Sequence, residues 1–282
     1  MKIFKQKQLL YSFLKEEQKN NKSIGFVPTM GALHEGHMSL IERASTENEL
    51  TVVSIFVNPT QFDNKSDLEN YPRFIEKDVK ILEKTNPDII IFTPSVEEIY
   101  ANNVTAETFD FDGLEHEMEG KFRTGHFDGV GTIVKQLLEI TIPDRAYFGE
   151  KDYQQLLIVK KLVLKNNIPV QVIGCPIERE SNGLAMSSRN ERLPSETRKQ
   201  AAFIYRTLLK AKDMFGTKNA SEVKEWVESQ FQQERLFDLE YIEIANAETL
   251  RPSEQKKENE KYRAFIAVHA NNIRLIDNIA LN

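Results

Sequence analysis

Ser23-Ile24-Gly25-Phe26-Val27-Pro28 runs without a break into Thr29-Met30-Gly31-Ala32-Leu33-His34-Glu35-Gly36-His37. The first part reads as a strand, and helical pattern follows from about Gly36 to Thr46. A helix N-terminus exposes unpaired N–H groups and carries partial positive charge, so this junction favours phosphate. Gly31 and Gly36 let the backbone come close to a ligand. His34 and His37 are three apart and share one helical face, where two imidazoles can donate hydrogen bonds to a polyphosphate as charge develops. A metal pair is the competing reading. The zinc-protease spacing, however, has three residues between its histidines and the general base inside that gap. Neither a cysteine nor a third well-placed histidine stands nearby, and a solvated, functionless pair stays open on this segment alone.

Outward from this junction the same alternation repeats. Thr51 to Val57 and Asp88 to Phe92 read as strands, with a helix from Tyr71 to Thr85 whose Ile75, Val79 and Leu82 share a face. Phe127 to Ile140 is helical, with Val130, Ile133, Val134 and Leu137 as its buried stripe. Arg145 to Phe148 is a strand, Asp152 to Lys165 a helix that Asp152 can cap, and Pro169 to Ile173 a further strand. Such alternation predicts an α/β fold, a parallel sheet with helices on both faces and a ligand crevice at the carboxyl ends of the strands. After Cys175-Pro176 the pattern changes. Ser195 to Phe215 and Ala220 to Arg235 are helical, and Leu239 to Ile244, Tyr262 to His269 and Ile273 to Asp277 are strand-like. A smaller α+β C-terminal domain over 177–282, following a first domain over 1–176, is expected.

The 282 residues are 40% hydrophobic and 28% charged, which suits a buried core and not a disordered chain. A net charge of −6 argues against a general nucleic-acid binder, although a local basic pocket remains possible. Cys175 is the sole cysteine, so no internal disulfide or cysteine-rich zinc site can form. The start of the chain scatters charges among apolar residues and offers no signal-peptide core, and runs such as Ile89 to Phe92 are far too short to span a bilayer. A soluble, cytoplasmic protein with no membrane partner is expected.

Further segments supply polar groups. Asn58 and Gln61, in Val57-Asn58-Pro59-Thr60-Gln61-Phe62, lie on a loop after a strand, where amides can bind hydroxyl and carboxylate groups; taken alone, the segment reads better as plain turn chemistry, to which Asn-Pro is well suited. In Phe148-Gly149-Glu150-Lys151-Asp152-Tyr153-Gln154-Gln155, Lys151 can reach a phosphate, and Gln155, four residues on, can face the same crevice. Ser187, Ser188 and Arg189, in Gly183 to Asn190, form a candidate phosphate clamp or a polar linker. Arg123-Thr124-Gly125-His126-Phe127 is a further candidate that a flexible turn explains nearly as well. Together they suggest a nucleotide-using enzyme without identifying a second substrate.

These segments, with Tyr71-Pro72-Arg73 and Arg274-Leu275-Ile276-Asp277-Asn278, run in an order that closely resembles the pantothenate synthetase (pantoate–β-alanine ligase) family. The His-x-Gly-His element alone belongs to a wider nucleotidyltransferase superfamily. The resemblance implies a Rossmann-like N-terminal domain that binds ATP and pantoate, and a C-terminal domain that covers the site. It implies ATP contacts at Met30, Gly31, Ala32, Leu33, His34, Glu35, Gly36 and His37, at Gly149, Glu150, Lys151 and Asp152, at Glu178, and at Met186, Ser187, Ser188 and Arg189. His37 takes the family's proton-donor position; Gln61 and Gln155 bind pantoate, Gln61 also lying near β-alanine. A homodimer is implied. Mg²⁺ is expected with ATP, mainly through phosphates and waters, with Asp78 as a possible protein ligand. Thr124 stands where the family pattern has proline, and Asn182 where aspartate is common. Another His-x-Gly-His transferase and a non-catalytic nucleotide-binding module are the alternatives.

Overall fold

The computed structural model describes all 282 residues. They divide into two compact units: Met1–Glu115, Glu119–Glu150 and Gln155–Pro176 in one, and His116–Met118, Lys151–Gln154 and Ile177–Asn282 in the other.

The first unit is built on six strands: β1 (Lys2–Phe4), β2 (Ile24–Thr29), β3 (Leu50–Ile55), β4 (Ile90–Phe92), β5 (Arg145–Gly149) and β6 (Gln171–Cys175). All pair parallel, in the order β1-β4-β3-β2-β5-β6. The helices between them are α1 (Lys7–Lys19), α2 (Glu35–Glu47), α3 (Lys65–Glu69), α4 (Ile75–Thr85), α5 (Val96–Tyr100), α6 (Glu119–Phe122), α7 (His126–Thr141) and α8 (Tyr153–Lys165). The inner strands β2, β3 and β4 are largely apolar and buried because both faces are covered. Val27, Val53, Ile55 and Ile91 face Leu40, Ile41 and Ala44 of α2 and Leu82 of α4. The alternating residues Phe26, Val52 and Ile90 point the other way and are equally buried. There α7 packs against β2, and α1 against α7. From β2 the chain builds outward through β3 and β4, then returns to add β5 and β6 on the opposite side. The order therefore reverses at β2 and β5, whose carboxyl ends, Thr29 and Gly149, lie on neighbouring strands. An open α/β sheet binds its ligands at such a switch point.

The second unit pairs β7 (Asp238–Asn246), β8 (Tyr262–Ala270) and β9 (Ile273–Ala280) antiparallel, with β8 central. One core joins Ile242, Ile244, Ala264 and Ile266 of this sheet to Ile204 and Leu208 of α10 (Ala202–Phe215) and to Val223 and Val227 of α11 (Ala220–Gln233). The remaining helix, α9, is Ser195–Gln200. The architecture is thus a parallel six-stranded α/β layer plus a small α+β unit.

Several expected boundaries move. The helix expected from Tyr71 begins only at Ile75; Pro72 disfavours the helical conformation at Tyr71 before it. Ile75 is 51% exposed, so Leu82 and the partly buried Val79 hold that face, together with a buried Asp78. The long helix from Ser195 breaks into α9 and α10. Asp152 sits in a separate 3₁₀ turn, Glu150–Asp152, ahead of α8. β1 and α1 are additions: Leu10 and Leu14, one turn apart, are the buried contacts of α1.

Candidate functional site

β2 ends at Thr29, whose hydroxyl donates to the Ser54 carbonyl at 2.7 Å and accepts from Gly31 N–H at 3.2 Å. The chain then turns through two left-handed residues, Gly31 (φ 81°) and Ala32 (φ 50°). A Cβ at Gly31 would sit 3.0 Å from both Asp78 Oδ2 and the Ile55 side chain, so glycine serves both the turn and the close approach. Asp78, fully buried on α4, accepts from Ala32 N–H at 2.9 Å and Leu33 N–H at 2.8 Å, one bond to each oxygen. Burial pushes the Asp78 carboxyl above its ordinary pKa, with the two N–H donors and Lys77 pulling against it.

The loop delivers His34 as the N-cap of α2. Its Nδ1 accepts from Gly36 N–H at 3.1 Å, while His37 Nδ1 accepts from His34 N–H at 3.4 Å, a capping box made of two imidazoles. The rings lie 4.1 Å apart, centroid to centroid. An imidazole whose Nδ1 accepts carries its proton, when neutral, on Nε2. Both side chains therefore present Nε2–H groups beside a helix N-terminus. Glu35 is exposed in the first turn of α2.

Gln61 is brought to the same switch point by a 3₁₀ turn, Pro59–Gln61, after β3. Its Nε2 lies 3.2 Å from the Met30 sulfur, and its Oε1 accepts from Asn58 Nδ2 at 3.1 Å. Asn58 is almost wholly buried. It also donates to the Gly129 carbonyl at 3.0 Å and accepts from the Tyr100 hydroxyl at 2.6 Å. His126 Nδ1 donates to the Gln61 carbonyl at 2.8 Å, and Arg123 reaches His126 Nε2 at 3.0 Å. α7 comes so close that a Cβ at Gly129 would lie 2.2 Å from the Thr60 carbonyl oxygen. Gly149 closes β5 in register with Cys175, and Glu150 and Gln155 follow it, both half-buried.

The second unit holds the other candidates. Lys151 has a mostly buried side chain with Asp152 at 3.7 Å, and its carbonyl accepts from Asn278 Nδ2 at 2.9 Å. Glu178 opens a hairpin: Met186 N–H donates to its carbonyl at 3.0 Å, and Arg179 bridges Ala185. Gly183 (φ 97°) makes the turn, aided by Asn182 Oδ1, which accepts from Leu184 N–H at 3.0 Å. The Asn182 amide donates as well, to the Arg198 carbonyl at 3.0 Å, a bond an aspartate could not make. Arg179 forks onto Asp277 of β9 at 2.6 and 2.9 Å and stacks 3.6 Å over Tyr205. Burial pushes the Asp277 carboxyl up, and the Arg179 fork opposes that rise. Ser187 caps the 3₁₀ turn Ser188–Arg192 by accepting from Arg189 N–H at 3.2 Å; Ser188 is buried and Arg189 half-buried. Asn190 pins this turn to Glu180 at 2.8 Å and to the Ala185 carbonyl at 3.0 Å.

Sequence reading missed the supporting residues Tyr100 and Gly129 around Gln61, and Arg179; His126 and Asp277 lay in segments it had singled out without these tasks. The Arg274 to Asn278 motif was a visible signal: three of its members bond to Glu240, Arg179 and Lys151. Each Asp78 oxygen accepts one loop N–H, and the chain has no group of three or more His, Cys, Asp or Glu residues able to hold a metal ion. No helix is long and apolar enough to cross a membrane.

Residues 2–280 match the family model of pantoate-β-alanine ligase. The chain is 54% identical to the pantothenate synthetase of Christiangramia forsetii over 282 residues, covering 100% of both chains. The crystal structure of the Thermus thermophilus pantothenate synthetase superposes with a TM-score of 0.91 at 39% identity, covering 100% of this chain and 99% of that one. The pantoate-β-alanine ligase of Francisella tularensis, solved with β,γ-ATP and β-alanine, superposes with a TM-score of 0.81 at 38% identity, covering 100% and 98%.

Proposed function

We infer the division of labour among these residues from one premise: the chain belongs to the pantoate-β-alanine ligase family. It condenses pantoate with β-alanine, using ATP and releasing AMP and pyrophosphate. A free carboxylate acylates amines poorly because its oxygen is a bad leaving group. The pantoate carboxylate therefore attacks the α-phosphorus of ATP and expels pyrophosphate. The β-alanine amine then attacks the carbonyl of the resulting mixed anhydride, and AMP leaves. No covalent enzyme intermediate is needed, so Ser187 and Cys175 need not act as nucleophiles.

The observation that carries the assignment of roles is the imidazole capping box at α2. Two Nε2–H donors, oriented before any ligand arrives, suit the charge that grows on a departing pyrophosphate. His37 donates a proton or hydrogen bond there, with His34 beside it. Lys151, Ser187, Ser188 and Arg189 supply further donors to the phosphates. Met30 to Leu33, Glu35, Gly36, Gly149, Glu150, Asp152, Glu178 and Met186 complete the ATP contacts. Gln61 and Gln155 bind pantoate, and Gln61 also lies near β-alanine. Mg²⁺ would accompany ATP as a counter-ion held mainly by the phosphates and waters, with Asp78 as the possible protein ligand. A homodimer in the cytoplasm completes the proposal.

The test is a pyrophosphate-release assay with each substrate omitted in turn. Pantoate-dependent pyrophosphate, with AMP as co-product once β-alanine is added, is expected. A transferase that keeps the nucleotide in its product would give no AMP. His37→Ala and Lys151→Ala should each lower kcat by roughly 10²–10³ while the protein stays folded. A near-normal rate in either variant removes that residue from the mechanism.

A further inference from the structure

We propose that Asp78 is a positioning residue for adenylate formation: by holding the N–H groups of Ala32 and Leu33, it sets the two imidazoles that follow. The inference deepens the functional reading above and rests on it. Asp78 has no exposed surface, and its two oxygens reach two consecutive backbone donors at 2.9 and 2.8 Å. The next residue is His34, the cap of α2, whose own N–H is the donor to His37 Nδ1. Asp78, the loop and the capping box are thus linked through successive peptide units.

The surroundings give this clamp its importance. Gly31 and Ala32 are both left-handed, a conformation an alanine adopts only when its neighbours impose it. Beside the loop lies a cavity of about 200 Å³, lined by Met30, Gly31, Ile55, Phe74 and Asp78. Beyond the close approach of Gly31 to Ile55, the loop borders a hollow, so its hydrogen bonds restrain it: one from Gly31 N–H to Thr29 and two to Asp78. Released, it has space to move, and the rings of His34 and His37 move with it. A displacement of about 1 Å in positioned groups costs roughly a hundredfold in rate.

Asp78→Asn tests this. The amide keeps the shape but replaces one acceptor oxygen with an NH₂ group that faces an N–H. Three measurements are made: pantoate-dependent pyrophosphate release, capture of supplied pantoyl-adenylate by β-alanine, and amide hydrogen exchange of the 30–37 segment. The expected result is a kcat for pyrophosphate release lowered roughly a hundredfold, a KM for ATP within about threefold of wild type, near-normal capture of the supplied adenylate, and faster exchange in the segment. Pyrophosphate release within about twofold of an active wild type overturns the proposal. So does an equal fall in both half-reactions, which marks a general loss of structure. Should the variant not fold, exchange in the wild type decides: protected Ala32 and Leu33 amides support the clamp, and unprotected ones overturn it. A wild type that releases no pantoate-dependent pyrophosphate refutes the functional reading instead.

Discussion

Asn58→Asp changes one NH₂ group into an oxygen and leaves the shape of a buried side chain intact. Asn58 is 1% exposed, so water cannot replace what is lost. Its Nδ2 donates to Gln61 Oε1 at 3.1 Å and to the Gly129 carbonyl at 3.0 Å. In the variant both partners face an acceptor, while the bond from the Tyr100 hydroxyl survives. Each buried group left unsatisfied costs about 1–3 kcal/mol, so two cost about 2–6 kcal/mol. The aspartate lowers that cost by taking up a proton, which restores one donor and places the loss near the low end. Gln61 loses the bond that fixes its amide, and kcat/KM for pantoate should fall by roughly a hundredfold. Thermal unfolding and steady-state kinetics with varied pantoate measure the two effects. A melting temperature within about 1 °C of wild type, with kcat/KM within twofold, would show that the Asn58 network neither supports the unit nor aims Gln61; a loss of about 2 kcal/mol should lower the midpoint by several degrees.

Asp277→Asn breaks the fork that ties the Glu178 hairpin to β9 and leaves Arg179 without its anion. Removing one partner of a buried pair costs about 3–5 kcal/mol, so the denaturation midpoint of the second unit should drop, and an unchanged midpoint would count against the fork as a brace. Tyr147 is fully buried, donating to Glu47 and accepting from Asn48, both at 2.8 Å. Burial, aided by Glu47, pushes its phenol from about 10 up to about 12. A phenol raised on folding contributes stability that is complete below pH 10 and lost as the pH climbs toward 12. Tyr147→Phe should therefore melt below wild type at pH 8, with the gap narrowing at pH 11; a constant gap refutes the assignment.

The first unit was legible because its inner strands are apolar on both faces and because a strand, two glycines and two histidines follow one another within a few residues. Local pattern carried that much. It could not carry Asn58, whose partners Tyr100 and Gly129 are 42 and 71 residues away in the chain. Nor could it carry the partners of Asp78, which are backbone N–H groups, owned by every residue but proline. Ile75 matched the apolar face of a helix by spacing, yet it lies in the first turn of α4 and remains exposed. The Arg274 to Asn278 motif was visible, but its tasks were not, since antiparallel pairing sends its successive side chains to different neighbours.

The paired left-handed turn at Gly31 and Ala32 also bears on how the proposed nucleotide site would receive its ligand. A glycine-led loop that stayed loose would have to surrender its freedom at each encounter, weakening capture by the entropy of settling. Here that freedom is surrendered once, when the polypeptide folds. An anion bound as proposed at the start of α2 would meet a cradle already shaped, and its contacts would translate more fully into affinity.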